Sequence, residues 1–293
     1  MKILSFGEII WDVYPDKAVL GGAPLNFGMH AAFWGSEVCM LSAVGSDELG
    51  KNALGQIKEQ GIDTSGIAVV GNAPTGACRV TLDESGVPKY KIDELSAYDL
   101  ITPSDKICDG CDVIAFGTLA LRHQENRDAI KKLLCDGRFT EVFTDLNIRP
   151  PFYSVESIEL CLSCATVVKI SDEDGRFISE ILFKESLETD ALAKKLCKRY
   201  KRIKLVIVTL GEKGSACYDA SAETFFYEDA VKTDVVSTVG AGDSYGAAFI
   251  VNYLRTGDIA LSMKRAAAVS GYVVSQIEAV PSGTGEFVKR FAD

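Results

Sequence analysis

Short apolar runs alternate along this chain with longer stretches in which apolar residues recur every three or four positions. Residues 2–7, 38–44, 112–117, 141–146, 165–170 and 204–210 are apolar on both faces, which predicts strands buried on two sides. Helical spacing fills the intervals. Pro24 to Gly35 begins near a proline and ends on a glycine, and Asp47 to Gln60 is closed by Gly61. Further helices are expected near 124–135, 155–163, 172–180 and 189–200, with closing helices at 258–277 and 284–291. Strands alternating with helices predict βαβ units and a parallel sheet. Residues 215–228 read as a hairpin.

One region breaks this texture. In 76–83, Cys78, Val80 and Leu82 share one face while Arg79, Thr81 and Asp83 share the other. Residues 89–94 alternate too, with Tyr90 and Ile92 apolar, and Glu84 to Pro88 reads as the turn between them. A two-stranded hairpin is marginal in water, so its apolar face must cover something, as a lid over a ligand or as the edge of a small β unit.

In a parallel α/β sheet, ligands bind beyond the carboxyl ends of the strands. Those ends carry Glu8 and Asp12, Gly45, Gly117, Asp145 and Asn147, Lys169 and Ser171, and Gly211. Polar residues and glycines clustered there predict a binding crevice.

The composition is that of an ordinary globular protein, 47% hydrophobic and 25% charged over 293 residues. A net charge of −10 argues against general affinity for nucleic acid or an anionic membrane, without excluding a nucleotide. No run approaches a membrane span, and Glu8 and Asp12 interrupt the apolar N-terminus, so no signal peptide is expected. Nine cysteines suggest reduced thiols and a cytoplasmic setting rather than a disulfide framework. Cys108 with Cys111 and Cys161 with Cys164 are too far apart in sequence for a zinc ribbon and read as buried side chains.

The stretch most loaded with chemistry is Thr238-Val-Gly-Ala-Gly-Asp-Ser-Tyr-Gly-Ala-Ala-Phe249. Gly240 and Gly242 permit a tight turn, and an apolar helix follows at once. Unpaired N–H groups and the positive end of the helix dipole meet there, which makes an anion site. Asp243 in the first turn is either a cap or an acid that takes a proton from an attacking hydroxyl. The second reading suits phosphoryl transfer. Gly45 to Asn52 mimics a phosphate loop. However, Asn52 lacks the metal-binding hydroxyl, and Asp47 and Glu48 would repel phosphate. His30 reads as packed within its helix, and His123 as at most substrate-side.

Gly21-Gly-Ala-Pro-Leu-Asn-Phe-Gly28 in front, Thr238 to Tyr245 behind and a hairpin between them resemble the PfkB, or ribokinase-like, family of sugar kinases over essentially the whole chain. Phe6 to Pro15, the Leu20-Gly-Gly-Ala-Pro run and Asp145-Leu-Asn-Ile-Arg149 resemble its fructokinase branch. The resemblance implies a three-layer α/β/α kinase domain over residues 1–293, with a mostly parallel sheet and a small β lid from about 11–20 and 75–100. It implies transfer from ATP with Mg²⁺ to the hydroxyl of a small neutral sugar, fructose first. Asp12, Gly22, Asn26, Tyr90 and Arg149 would face the sugar, and Arg149 also the moving phosphate. Gly240, Ala241 and Gly242 would form the anion hole and Asp243 the base. Lys169, Thr209, Gly211 and Gly214 would follow the nucleotide.

Two positions depart from the family pattern. Ser237 replaces an Asp that helps frame a monovalent-cation site, which puts K⁺ activation in question. Ser171-Asp-Glu-Asp174 replaces Asn-x-x-Glu, leaving Asp174 or Glu173 to reach Mg²⁺ through water. The alternatives are a kinase of 2-keto-3-deoxygluconate, ribose, tagatose or a nucleoside, or a silent sugar or nucleotide sensor. Pairing of two lids into a homodimer is compatible with the resemblance, although Arg79, Thr81, Lys89 and Lys91 leave no evident dry face for it.

Overall fold

The structure is a computed structural model. It describes residues 1–82, 88–104 and 106–291, with the side chains of residues 80–90 outside that description. The expected turn at Glu84–Pro88 and the side-chain alternation at Val80, Leu82 and Tyr90 therefore fall outside the described residues.

Among the described residues, nine strands form one sheet. In chain order they are β1 (Lys2–Phe6), β4 (Glu37–Gly45), β5 (Ile67–Val70), β8 (Val113–Gly117), β9 (Glu141–Asp145), β10 (Val167–Ser171), β11 (Leu205–Thr209), β12 (Ser215–Asp219) and β13 (Thr224–Glu228). Their spatial order is β13-β12-β11-β10-β9-β8-β1-β4-β5. All neighbours from β5 to β11 pair in parallel, and β12 and β13 add an antiparallel edge. A second sheet, ordered β3-β2-β6-β7, contains β2 (Ile10–Val13), β3 (Ala18–Gly21), β6 (Gly76–Leu82) and β7 (Pro88–Ile92).

Period-two alternation splits the large sheet into two buried faces. Ile3, Val113, Val167 and Leu205 point into one core cluster. Their chain neighbours Leu4, Ile114, Val168 and Val206 point into the other. The first face is covered by α1 (Ala23–Phe33), α2 (Glu48–Glu59), α7 (Ala241–Thr256), α8 (Ile259–Val274) and α9 (Thr284–Val288). The second is covered by α3 (Gln124–Asp136), α4 (Val155–Cys164), α5 (Asp172–Ile178) and α6 (Thr189–Arg199). Each large side chain such as Phe6, Phe143 or Phe249 that is removed from water contributes about 2–3 kcal/mol. The three-layer arrangement and the parallel sheet agree with the sequence expectation. The helices fall where predicted, while β5 had not been anticipated.

Local chemistry sets the helix ends. Pro24 occupies the first turn of α1, where its missing N–H costs nothing. The Asp258 carboxylate accepts the Leu261 N–H at 2.9 Å and starts α8. The chain enters the large sheet at an interior strand, lays β4 and β5 on one side of β1, then starts the other side with β8. Strand order therefore reverses between β1 and β8, where open α/β sheets place their ligands.

Candidate active site

Three concavities surround the start of α7. The smallest, about 30 Å³, lies at the reversal of strand order and is lined by Ser5, Glu8, Thr118, Asp145, Asn147 and Asp243, among others. A cleft of about 1040 Å³ runs over the carboxyl ends of β9, β10 and β11, past Arg149, Lys169 and Glu173. A third hollow of about 680 Å³ is walled by Lys213, Ala230, Val231, Ala267, Gly271 and Val274, among others. The last two share Thr209, Gly211, Thr238 and Gly242, so one groove passes directly over the helix start.

That helix start is built to leave N–H groups open. Gly240 sits before α7 with φ 79, in the left-handed region, and no side chain caps the helix. Ala241 N–H turns back to the Thr238 carbonyl, but Gly242 and Asp243 N–H find no acceptor among the described residues. A Cβ on Gly240 would stand 2.4 Å from the Ala279 carbonyl oxygen, so only glycine fits. His30, fully buried in α1, holds the same Ala279 carbonyl through Nε2 at 2.8 Å. Removal from water pushes His30 down to about 4, so the imidazole is neutral and structural, as the sequence suggested.

Asp243 lies in the first turn of α7. Asn26 Nδ2 donates to its Oδ2 at 2.8 Å. Removal from water and the charge of Asp145 push Asp243 up to about 6, against the pull of Asn26, Lys169 and Arg149. A carboxyl poised near neutrality is suited to accept a proton. Asn26 thus spends its amide N–H on Asp243, and its Oδ1 has no partner among the described residues.

Lys169 is buried and places Nζ 2.7 Å from Asp145 Oδ2. A Cβ on Gly242 would lie 3.1 Å from that Nζ, so the ammonium sits directly behind the open N–H groups. Arg149 is exposed in the cleft and has no direct ion pair among the described residues, yet its charge acts on Glu8, Asp12, Asp145 and Asp243. Asp12 comes from the small sheet. Removal from water raises it, opposed by Arg149 and by a hydrogen bond from the Cys78 thiol on the adjoining strand. Gly22, φ 115, packs its α-carbon against Glu8, and a Cβ there would meet the Glu8 carbonyl oxygen at 2.4 Å.

The remaining sequence-derived positions separate. Thr209, Gly211 and Gly214 line the third hollow. Tyr90 lies on β7 opposite Val80, and its side chain is outside the described residues. Asp174 is occupied: Oδ1 accepts the Ile148 N–H at 3.0 Å and Oδ2 the Ser171 hydroxyl at 2.9 Å. Glu173 beside it is exposed on the cleft. Ser237 Oγ accepts the Val239 N–H at 3.3 Å. In the mock phosphate loop, Asp47 caps α2 through the Gly50 N–H and binds Thr75, which is a structural duty. His123 lies 3.7 Å from Asp99. Sequence reasoning had named Glu8 only as a polar strand end. Its burial and its place beside Asp243 follow from the crossing of β1 and α1, which the local pattern does not reveal.

"Probable fructokinase-5" of Arabidopsis thaliana is 26% identical over 280 residues, covering 88% of this chain and 84% of that protein. The crystal structure of fructokinase with bound ATP from Xylella fastidiosa superposes with a TM-score of 0.87 at 20% identity, covering 100% of this chain and 99% of that one. Fructokinase from Vibrio cholerae O395, in a fructose-, ADP- and calcium-bound form, gives 0.80 at 21%, covering 96% and 95%. At these identities the two structures establish the fold. The pfkB family carbohydrate kinase profile matches residues 6–283. With that match spanning nearly the whole chain, this protein belongs to the pfkB family of carbohydrate kinases.

Proposed function

We propose that this sugar kinase transfers the γ-phosphoryl group of ATP to the primary hydroxyl of fructose, giving fructose 6-phosphate and ADP. The observation that carries the reading is the position of Asp243. It stands at the open N-terminus of α7, pushed up to about 6, where the sugar-side cavity meets the long groove.

In this reading the sugar lies between the two sheets, with Asp12, Gly22 and Asn26 toward its hydroxyls and Arg149 at the rim. Asp243 takes the proton of the attacking hydroxyl. The open N–H groups after Gly240 receive the charge that develops on the transferred phosphoryl oxygens. Lys169 reinforces them from behind, and Arg149 from the cleft. The adenosine end of ATP occupies the hollow at Val231, Ala267 and Gly271. The small sheet acts as the lid, excluding water that would otherwise accept the phosphate.

Mg²⁺ would arrive with the nucleotide. Among the described residues no three His, Cys, Asp or Glu side chains form a metal cage, which fits an ion held chiefly by phosphates and water. Glu173 is the exposed carboxylate on the cleft; Asp174 is already satisfied by Ile148 and Ser171. Ser237 brings no charge to the turn, so a monovalent cation there would rest on backbone carbonyls alone. The fructokinase relatives favour a neutral sugar such as fructose.

The test is a coupled ADP-release assay with MgATP, with and without K⁺, over fructose, glucose, ribose, tagatose and 2-keto-3-deoxygluconate. Fructose should give the highest kcat/KM. Asp243→Asn should bind both substrates yet lose about 10² to 10⁴-fold in kcat. Preference for another sugar would discard fructose and keep the mechanism; near-normal turnover by Asp243→Asn would remove the base.

A further inference from the structure

Another acid stands in the middle of the site. Glu8 follows β1 at the reversal of strand order, is 3% exposed, and lines the same small cavity as Asp243. Asp145 is matched with Lys169 at 2.7 Å and Asp99 with Arg122 at 2.6 Å, while Asp243 has no ion pair among the described residues but accepts the Asn26 N–H at 2.8 Å. Glu8 has no ion pair among the described residues. The backbone N–H groups of Glu8 itself and of Ala23 at the start of α1 favour its charged form, against the larger effect of burial. Arg149, from the loop after β9, acts on it only as a charge and also serves Asp12, Asp145 and Asp243. Tyr98 and Arg122 face it from the turns at 97–100 and 119–122. Arg122 gives Nε and Nη2 to Asp99 and lies over the rings of Tyr98 and Phe152; it makes no ion pair with Glu8, and its Nη1 has no partner among the described residues.

A buried carboxyl without a matched cation holds its proton, because the charged form loses its hydration and gains nothing equivalent. Burial pushes Glu8 up to about 7, with the charge of Asp243 adding to the rise. Asp243 is less buried than Glu8 and accepts the Asn26 N–H, which favours its charged form, so of the two acids Glu8 holds the proton and Asp243 the negative charge.

We infer that Glu8 is a positioning residue for the transfer: it keeps its proton and faces Asp243 across the small cavity, so that the two acids bring one negative charge, not two, to the place where the phosphoryl group moves. This rests on Asp243 being the base. A second negative charge there would oppose the triphosphate far more than an uncharged sugar. Ionisation of Glu8 on the alkaline side should therefore weaken ATP binding and leave sugar binding nearly unchanged.

The experiment is the pH dependence of KM for MgATP and for sugar, from pH 6 to 9, in the wild type and in Glu8→Gln. Glutamine has the shape of the protonated acid and cannot ionise. In the wild type, KM for ATP should rise above pH 7, by up to about 30-fold at pH 8.5, with a much smaller change for the sugar. In Glu8→Gln that rise should be absent, making the variant the better ATP binder at pH 8.5. A wild-type KM for ATP that is level across this range, or the same rise in Glu8→Gln, would overturn the inference. Should Glu8→Gln not fold, infrared difference spectra of the Asp243→Asn enzyme with carbon-13-labelled glutamate decide the matter. A protonated glutamate band present at pH 6 and lost by pH 9 supports the inference, and no such band at pH 6 refutes it. Full turnover by Asp243→Asn would instead sink the base, while that band would still report the proton on Glu8.

Discussion

Replacing Gly240 by alanine separates two costs that are usually entangled. The residue has φ 79, so any side chain carries the left-handed penalty of about 1–2 kcal/mol. Its Cβ would also stand 2.4 Å from the Ala279 carbonyl oxygen, against a floor of 3.0 Å for real Cβ contacts, a shortfall of 0.6 Å. If the turn stays in place, the overlap costs about 1–3 kcal/mol more. If it yields, the open N–H groups of Gly242 and Asp243 move by a comparable distance. A misplacement near 1 Å costs on the order of 10²-fold in rate, and loss of one anion-hole donor about 10² to 10³-fold. Gly257 at the far end of α7 is the control. It has φ 69 with nothing within 4 Å of its Cβ, so alanine there carries the backbone penalty alone. Thermal melts and the coupled ADP-release assay on both variants are therefore expected to diverge. Gly257→Ala should lose about 1–2 kcal/mol of stability with kcat intact. Gly240→Ala should lose more stability and at least about tenfold in kcat, with sugar KM little changed. Equal kcat in the two variants would refute the claim that this turn positions the anion hole.

Two further outcomes follow from the buried charges. Lys169→Met leaves Asp145 buried and unmatched, so stability should fall by about 3 kcal/mol. The double variant with Asp145→Asn should recover stability but not activity, because the cation behind Gly242 is still missing; restored activity would remove Lys169 from the transfer. Asp243 is raised from its ordinary value of 3.8 to about 6 in the fold, so the folded state binds the extra proton. Its ionisation then weakens the fold progressively as pH rises from about 4 through about 6, and the effect is complete above that. Discounted for its partial exposure, this is worth about 2 kcal/mol, so Asp243→Asn should melt above wild type at pH 8, with the gap closing toward pH 5. A gap independent of pH would show that the carboxyl is not perturbed.

What the chain disclosed before folding depended on whether the information was local. Strands such as Val167–Ser171 and Leu205–Thr209 are apolar on both faces because both faces are buried, and they were readable from pattern alone. The polar positions at their ends marked the crevice for the same reason. β5 escaped notice because Ile67–Val70 is an edge strand with a single fully buried position. The Asn26–Asp243 bond was hidden for a different reason. Asn26 looks like a side chain free to grip a sugar, and only the packing of α1 on α7 commits its N–H to the acid. Lys169 likewise reads as a groove cation until its neighbouring strand supplies Asp145.

The partners Asn26 and Asp243 stand 217 residues apart in the chain. Contacts of such separation are among the slowest to form, since a long loop must be closed before anything is gained. During synthesis α1 emerges early, with Pro24 through Ala31 all destined for burial, while α7, which covers it, is among the last elements made. For most of translation this apolar helix therefore has mainly β1 and β4 to pack on and lacks its largest native partner, which makes it the place where a stalled or truncated chain would stick to its neighbours. Because the helix that shields it also brings Asp243 and the anion turn, this kinase becomes aggregation-safe and active in one event.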